Sequence, residues 1–318
     1  MSADIWNPWH GCTKCSPGCE HCYMYALDAY RGRPEWSNKV FRTNQFRLPL
    51  KKTRDGAFKL APGWRVRTNM TSDTFHPDAR PWLPAFWEII KARPDLTFWL
   101  LTKRPENIMA SLPPDWDGGY PNVVLAVTVE NQDMFDKRWP VFEQVPAARK
   151  ELCCAPLLSA IDIAPALRSN QISTVMAGGE NYDDPRPCDL AWAFDLSRQA
   201  REHRVPFCFY ESGTKPYLNG FQAFLPRKAD QSALAYLLGV NYVPDPAPDF
   251  SKTYNLNHCV FCANRMLCSG CMASHGCRNC CTVPAPGGLM DVWAREDWLR
   301  ANAPPAVSCL LKYFKERS

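Results

Sequence analysis

From residue 64 to residue 210 the chain repeats one cadence: a short apolar run rich in β-branched and aromatic residues, then a longer stretch of helical periodicity. The runs are WRVRTN (64–69), LTFWLLT (96–102), NVVLAVT (122–128), KELCCA (150–155), STVMAGG (173–179) and VPFCFY (205–210). Helical patterns lie at 82–92, 105–111, 133–144 and 190–203. Hydrophobicity within the runs is continuous rather than alternating, which predicts strands buried on both faces, as in a parallel sheet covered by helices. The expected fold class is therefore α/β, a partial (β/α)6-type barrel. In such a barrel the loops after the strand C-termini carry the chemistry. Here those loops read MTSDTFH (70–76), TKRPEN (102–107), TVENQD (128–133), APLLSAID (155–162), GGENYDDPRP (178–187) and ESGTK (211–215), and nearly all are polar.

Composition narrows the setting. Apolar residues make up 46 % and charged residues 22 % of the 318, an ordinary globular balance, so a full core is expected. No apolar run approaches the roughly 18 residues that cross a bilayer, which argues against a membrane protein. The N-terminus, MSADIWNPWHGC, has no basic segment followed by an apolar one, and the expected location is the reducing cytoplasm. In that setting 16 cysteines point to metal ligation or redox chemistry rather than a disulfide framework. Four lie near the N-terminus and seven between Cys259 and Cys281; Cys153, Cys154, Cys188, Cys208 and Cys309 are expected to be small buried apolar residues. The net charge of +5 is compatible with nucleic acid without being diagnostic of it. The expected organisation is a barrel over 1–241, a proline-rich linker over 242–257 and a small Cys-rich metal-binding extension over 258–318, with helical signals at 289–301 and 307–315.

The first cluster, GCTKCSPGCEHCY (11–23), places Cys12, Cys15, Cys19 and Cys22 within eleven residues. Thiolates at such spacing hold zinc or an iron-sulfur cluster. Three cysteines on one loop leave one iron of a four-iron cluster without a protein ligand, whereas four thiolates can close a tetrahedral zinc site. Lys103 and Arg104 open a loop where they could meet a phosphate or carboxylate. Gly178 and Gly179 would let backbone approach a ligand closely. Glu180 follows them, and Glu130 has a claim to the barrel mouth.

The spacing Cys15, Cys19, Cys22 (C-x3-C-x2-C), followed by Tyr23, resembles the signature of the radical S-adenosylmethionine (radical SAM) superfamily. In order, WNPWHGCTKCSPGCEHCYMY, NMTSDTFH, LLTKRPENI, VTVENQ, PLLSAIDI, AGGENYDDPRP and VPFCFYESG resemble the motifs of a phage-associated family of radical-SAM-like proteins of unknown function, over roughly residues 5 to 213. That family's pattern is C-x6-C-x2-C, which selects Cys12, Cys19 and Cys22, whereas the superfamily spacing selects Cys15; three of the four are the expected ligands. The resemblance implies a 4Fe-4S cluster whose open iron binds S-adenosylmethionine, one-electron cleavage to a 5'-deoxyadenosyl radical, and a flavodoxin- or ferredoxin-like electron donor. The expected cofactor contacts are Gly178, Gly179, Glu180, Ser72, Asp73, Lys103 and Tyr23, and the catalytic candidates are Glu130, His76 and Tyr210. Phage association points to modification or rearrangement of a nucleobase or nucleotide. Two departures put the family's substrate in question: Cys153-Cys154-Ala155 replaces a common Ser-Ala-Glu, and Tyr210-Glu211-Ser212-Gly213 replaces a common Lys-Gln-Trp-Gly.

The second cluster, Cys259, Cys262, Cys268, Cys271, Cys277, Cys280 and Cys281, exceeds one tetrahedral shell. Its first spacings resemble the auxiliary-cluster extensions of radical SAM enzymes; its paired CxxC hooks equally suit zinc, with Phe261, Arg265, Arg278 and Asn279 available to nucleic acid. Metal binding would supply folding free energy that so short a segment lacks. The alternative to an enzyme is a non-catalytic zinc or iron-sulfur module that binds nucleic acid.

Overall fold

A computed structural model describes residues 5–182, 184–244 and 305–315. The second cysteine cluster and the helical signal at 289–301 lie outside the described residues. Twelve strands are present among the described residues: β1 (Ile5–Trp6), β2 (Trp9–His10), β3 (Phe41–Arg42), β4 (Arg65–Thr68), β5 (Thr97–Thr102), β6 (Val123–Thr128), β7 (Lys150–Cys154), β8 (Ile172–Gly178), β9 (Cys188–Asp189), β10 (Phe207–Glu211), β11 (Pro216–Leu218) and β12 (Phe221–Gln222). Seven of them form a curled parallel half-barrel sheet in the order β1-β4-β5-β6-β7-β8-β10. All six expected strands are in it. The seventh, β1, is two residues long and too short to show a period; it pairs with β4 through Ile5–Arg67 and Trp6–Thr68.

Continuous hydrophobicity has its cause in the two faces of this sheet. Every residue of β6 is buried. Val123, Leu125 and Val127 join the large core with the helices, while Val124 and Ala126 point the other way, to a smaller cluster with Trp99, Cys153, Met176 and Cys208. The helices are α1 (Tyr23–Tyr30), α2 (Leu83–Lys91), α3 (Gln132–Glu143), α4 (Ala164–Arg168), α5 (Leu190–Glu202), α6 (Lys228–Leu237) and a C-terminal helix, Pro305–Lys315. In α2 the buried set Leu83, Phe86, Trp87, Ile89 and Ile90 forms one stripe, as helical spacing requires. Phe86 stacks on Trp6 at 5.0 Å, tying the short edge strand to the core. Two caps start helices where the sequence turns polar: Asn131 accepts from the Met134 N–H at 2.9 Å, and Asp189 from the Ala191 N–H at 2.9 Å.

Three expectations change. The helix read at 105–111 is two 3-10 turns, Pro105–Asn107 and Met109–Ser111. Asn107 donates from its side chain to Phe75 O (3.0 Å), and Ser111 Oγ donates to Asn107 O (2.8 Å), the carbonyl that a helical Ser111 N–H would take. The start of the expected linker is docked: Tyr242 and Phe207 exchange both backbone hydrogen bonds at 2.9 Å, and Asn241 Oδ1 accepts from Phe209 N at 2.7 Å. They cap the otherwise open edge of β10. Of the five isolated cysteines, Cys153, Cys154, Cys188 and Cys208 are buried, while Cys309 is exposed on the C-terminal helix. That helix nevertheless packs on α6 and sends Val307 and Leu310 into the main core. Among the described residues no helix is long and apolar enough to cross a membrane.

Candidate functional site

The first cysteine cluster occupies the loop between β2 and α1. At its start Gly11 has φ +86°, and a Cβ there would lie 2.1 Å from Lys39 O, so no side chain fits. The Cys12 N–H donates to Ser37 O at 2.8 Å, a 3-10 turn covers Pro17–Cys19, and Cys22 opens α1 in extended conformation. Residues that follow the C-terminal ends of four sheet strands then hold this loop.

After β4, Asp73 accepts from Thr102 Oγ1 (2.7 Å), Lys103 N (3.0 Å) and Phe75 N (2.9 Å) and pairs with Arg104 at 3.2 Å. Arg104, after β5, donates to Thr13 O at 2.6 Å and Thr13 Oγ1 at 2.9 Å, and its Nη1 lies 3.6 Å from Cys12 Sγ. His76 Nδ1 accepts from Asp78 N at 3.2 Å, so its Nε2 carries the proton toward Thr13 Oγ1 at 3.0 Å. After β6, Glu130 accepts from the Gly18 N–H at 3.0 Å and pairs with Arg138 at 2.5 Å, fully buried. After β8, Glu180 binds Arg186 through Oε1 (2.6 Å) and Oε2 (2.9 Å), and Arg186 reaches on to Pro17 O (2.9 Å) and Glu20 (3.0 Å).

Thus the candidate residues Arg104, His76 and Glu130 bond the cysteine loop directly, while Asp73 and Glu180 act on it through Arg104 and Arg186. Residues 2–232, which supply every one of these contacts, match a family described as "Protein of unknown function (DUF5131)". The chain belongs to this family. No curated protein and no solved structure matches it. The DUF5131 match ends at residue 232, so the second cysteine cluster lies outside the matched residues.

Within this DUF5131 site Cys19 is the thiol in contact with a second cysteine. Its Sγ lies 4.0 Å from Cys15 Sγ. The hydrogen bond from Cys15, reinforced by the Lys103 ammonium, lowers the Cys19 thiol to about 4 and raises that of Cys15. Burial pushes the Cys12 thiol up to about 11 and raises Cys22. Burial alone would lower the Lys103 ammonium, but Cys19, Glu130 and Cys22 around it outweigh that and raise it. Burial would raise the Glu130 carboxyl; Lys103 and Arg138 more than offset this and lower it. Among the described residues no three His, Cys, Asp or Glu side chains are gathered at metal-binding distance; the four thiols share a loop, with Cys15 and Cys19 in contact and Cys12 beside Arg104.

The remaining expected residues have other surroundings. Tyr23 OH donates to Met70 O, and Ser72 Oγ donates to Gly11 O at 2.5 Å. A Cβ on Gly178 would meet the Tyr210 ring at 2.6 Å, and one on Gly179 would meet Ser212 O at 2.4 Å. The glycine pair therefore allows β8 and the end of β10 to close on each other. Tyr210 is half-buried over Gly178. Thr13, Gly18, Arg138 and Arg186 belong to the site although sequence reading assigned them no role. Arg186 lay inside a quoted motif, whereas Arg138 sits mid-helix in α3, where nothing in the sequence separates it from a solvated arginine. Three buried polar atoms at the strand ends lack a hydrogen-bond partner: Asn69 Oδ1, Thr71 Oγ1 and Thr128 Oγ1.

Proposed function

We propose that this protein is a radical SAM enzyme, using three of Cys12, Cys15, Cys19 and Cys22 to hold a 4Fe-4S cluster that binds S-adenosylmethionine. The observation that carries this reading is the position of the cysteine loop: it lies across the C-terminal ends of a parallel half-barrel, where such folds hold their reactive groups. The donor set fits a cluster. It consists of thiols on one loop, with Arg104 against Cys12 and the Lys103 charge acting on Cys19 and Cys22, and cations of this kind favour thiolate and offset an anionic cofactor. The partnerless atoms of Asn69, Thr71 and Thr128 fit as well, because buried polar groups ordinarily have partners and a ligand at the strand ends would supply them.

Held by three of Cys12, Cys15, Cys19 and Cys22, such a cluster would supply one-electron reduction of S-adenosylmethionine, with the electron coming from an external reductant. The protein's own residues hold and enclose. Arg104, Glu130 and Arg186 fix the cysteine loop against β5, β6 and β8. The Lys103 ammonium is a positive charge that favours thiolate at Cys19 and Cys22. Glu180, both oxygens bound to Arg186, acts as a positioning residue for that loop.

The test is anaerobic purification with iron and sulfide analysis, followed by dithionite reduction with S-adenosylmethionine. The expected result is a brown protein with about four iron atoms at this loop and formation of 5'-deoxyadenosine. A colourless zinc protein that forms no 5'-deoxyadenosine overturns the reading and leaves a structural metal module.

A further inference from the structure

Charge is unevenly distributed along this chain. Between Tyr30 and Leu60 there are nine Lys and Arg (Arg31, Arg33, Lys39, Arg42, Arg47, Lys51, Lys52, Arg54, Lys59) against Glu35 and Asp55, a net +7 where the whole chain carries +5. The rest of the protein is therefore slightly acidic. All nine cations are exposed, and among the described residues none of them forms an ion pair, although other surface cations such as Lys91, Arg198, Lys215 and Lys228 do. An unpaired basic surface of this density costs self-repulsion unless a polyanion covers it.

Aromatic rings are interleaved with these charges. Arg33 lies over the Trp36 ring at 4.6 Å, Trp36 meets Phe41 edge-on at 5.4 Å, Arg42 lies over Phe46 at 5.2 Å, and Lys52 lies over Phe58 at 5.0 Å. Tyr30 is 90 % exposed and Trp36 38 % exposed. Cations that track a phosphate backbone, with open rings on which bases stack, are the combination that binds single-stranded nucleic acid. A lipid surface would call for an amphipathic helix with a broad apolar face, and this segment instead holds short turns and a two-residue strand.

The surface is continuous with the cysteine loop. Ser37 O accepts the Cys12 N–H at 2.8 Å, Asn38 Oδ1 accepts from Tyr25 OH at 3.0 Å, and the His10 ring meets Trp36 at 6.3 Å. We infer that the face built by residues 30–59 binds single-stranded nucleic acid and brings it alongside the cysteine loop. The inference stands on charge and ring placement, and its test measures binding without turnover, so its failure is distinct from failure of the proposed reaction.

The test is fluorescence anisotropy of the full-length protein with a labelled single strand about 20 nucleotides long, long enough for one site. A duplex of the same sequence and phosphatidylserine vesicles serve as competitors. Single-strand binding is expected to weaken about 100-fold between ~50 and ~200 mM salt, the slope for about five phosphate contacts. Arg33→Glu with Arg42→Glu is expected to weaken it at least about tenfold, while Lys137→Glu with Arg168→Glu, the same charge change on exposed sites of α3 and α4, leaves it within about twofold. Tyr30→Ala, which removes an almost fully exposed ring and so spares the fold, is expected to weaken it about fivefold. Absence of saturable binding, equal weakening by the two charge-reversal pairs, no effect of Tyr30→Ala, or stronger competition by duplex or vesicles would each overturn the proposal.

Discussion

Gly18 and Glu130 meet with no room between them. The Gly18 N–H donates to Glu130 Oε1 at 3.0 Å, and a Cβ on Gly18 would lie 2.9 Å from the carboxyl carbon. The middle of the cysteine loop is thus locked to the end of β6 by a glycine and an acid 112 residues apart. Gly18→Ala is expected to cost about 1–3 kcal/mol, the usual penalty for an added buried methyl group that forces its neighbours apart. Denaturant unfolding monitored by tryptophan fluorescence measures it.

Glu130 also neutralises the buried Arg138. Glu130→Gln keeps a hydrogen-bond acceptor for Gly18 but leaves the guanidinium without a counter-charge. The expected loss is about 3–5 kcal/mol, larger than for Gly18→Ala, because an uncompensated buried charge is worse than crowding. Replacing both, Glu130→Gln with Arg138→Met, is expected to recover a large part of that loss, as a double-mutant cycle would show.

Arg186 spans Glu180, Pro17 O and Glu20, which needs a planar fork with several donors. Arg186→Lys retains the charge and loses the fork. Amide hydrogen exchange in residues 15–20 is expected to speed up about tenfold, equivalent to about 1.4 kcal/mol of local opening, with exchange in β6 and β8 unchanged.

Single substitutions of the four cysteines separate the ligands. Cys19→Ala and Cys22→Ala are expected to abolish the iron held by this loop, about four atoms per chain, after anaerobic purification. Of the other two, Cys12→Ala is expected to abolish it and Cys15→Ala to retain it. Iron and sulfide per chain are the readout, and the reverse pattern would assign the superfamily spacing instead.

One pH effect is expected away from the site. Buried Arg93 grips Asp95 at 2.8 and 2.7 Å and also donates to Leu60 O at 2.8 Å. The Arg93 fork lowers the Asp95 carboxyl below its ordinary value. Because the folded value is the lower one, the stabilisation is complete above the unfolded pKa of about 3.9 and fades as pH falls through the folded value. Asp95→Asn is therefore expected to be less stable than the parent at neutral pH, by no more than about 1 kcal/mol because Asp95 is solvent-screened. The difference should vanish in strong acid when unfolding is followed against pH.

The strands were legible because burial on both faces leaves an unbroken apolar run, and β6 shows it most plainly. Helices α2, α3 and α5 were legible from the helical periodicity of long stretches between the strands, while the caps at Asn131 and Asp189 came only with the structure. Strand β1 was not, because two residues carry no period. The turns at 105–111 were misread because a few residues of helical spacing do not reveal that Asn107 and Ser111 turn their side chains onto the backbone. Glu130, His76 and Asp73 stood out as polar residues at strand ends, but whether such a residue faces a ligand or braces a loop depends on what lies across from it.

Sequence alone determined the sheet, its parallel sense, the four clustered thiols and the loops around them, because these follow from local periodicity and spacing. Tertiary structure decided what those loops do. Arg104, Glu130 and Arg186 come from three separate strand ends and grip the cysteine loop at Thr13, at Gly18, and at Pro17 and Glu20. Such partnerships between groups far apart in the chain leave no local period to read, and buried charges find partners only once the fold excludes water from between them.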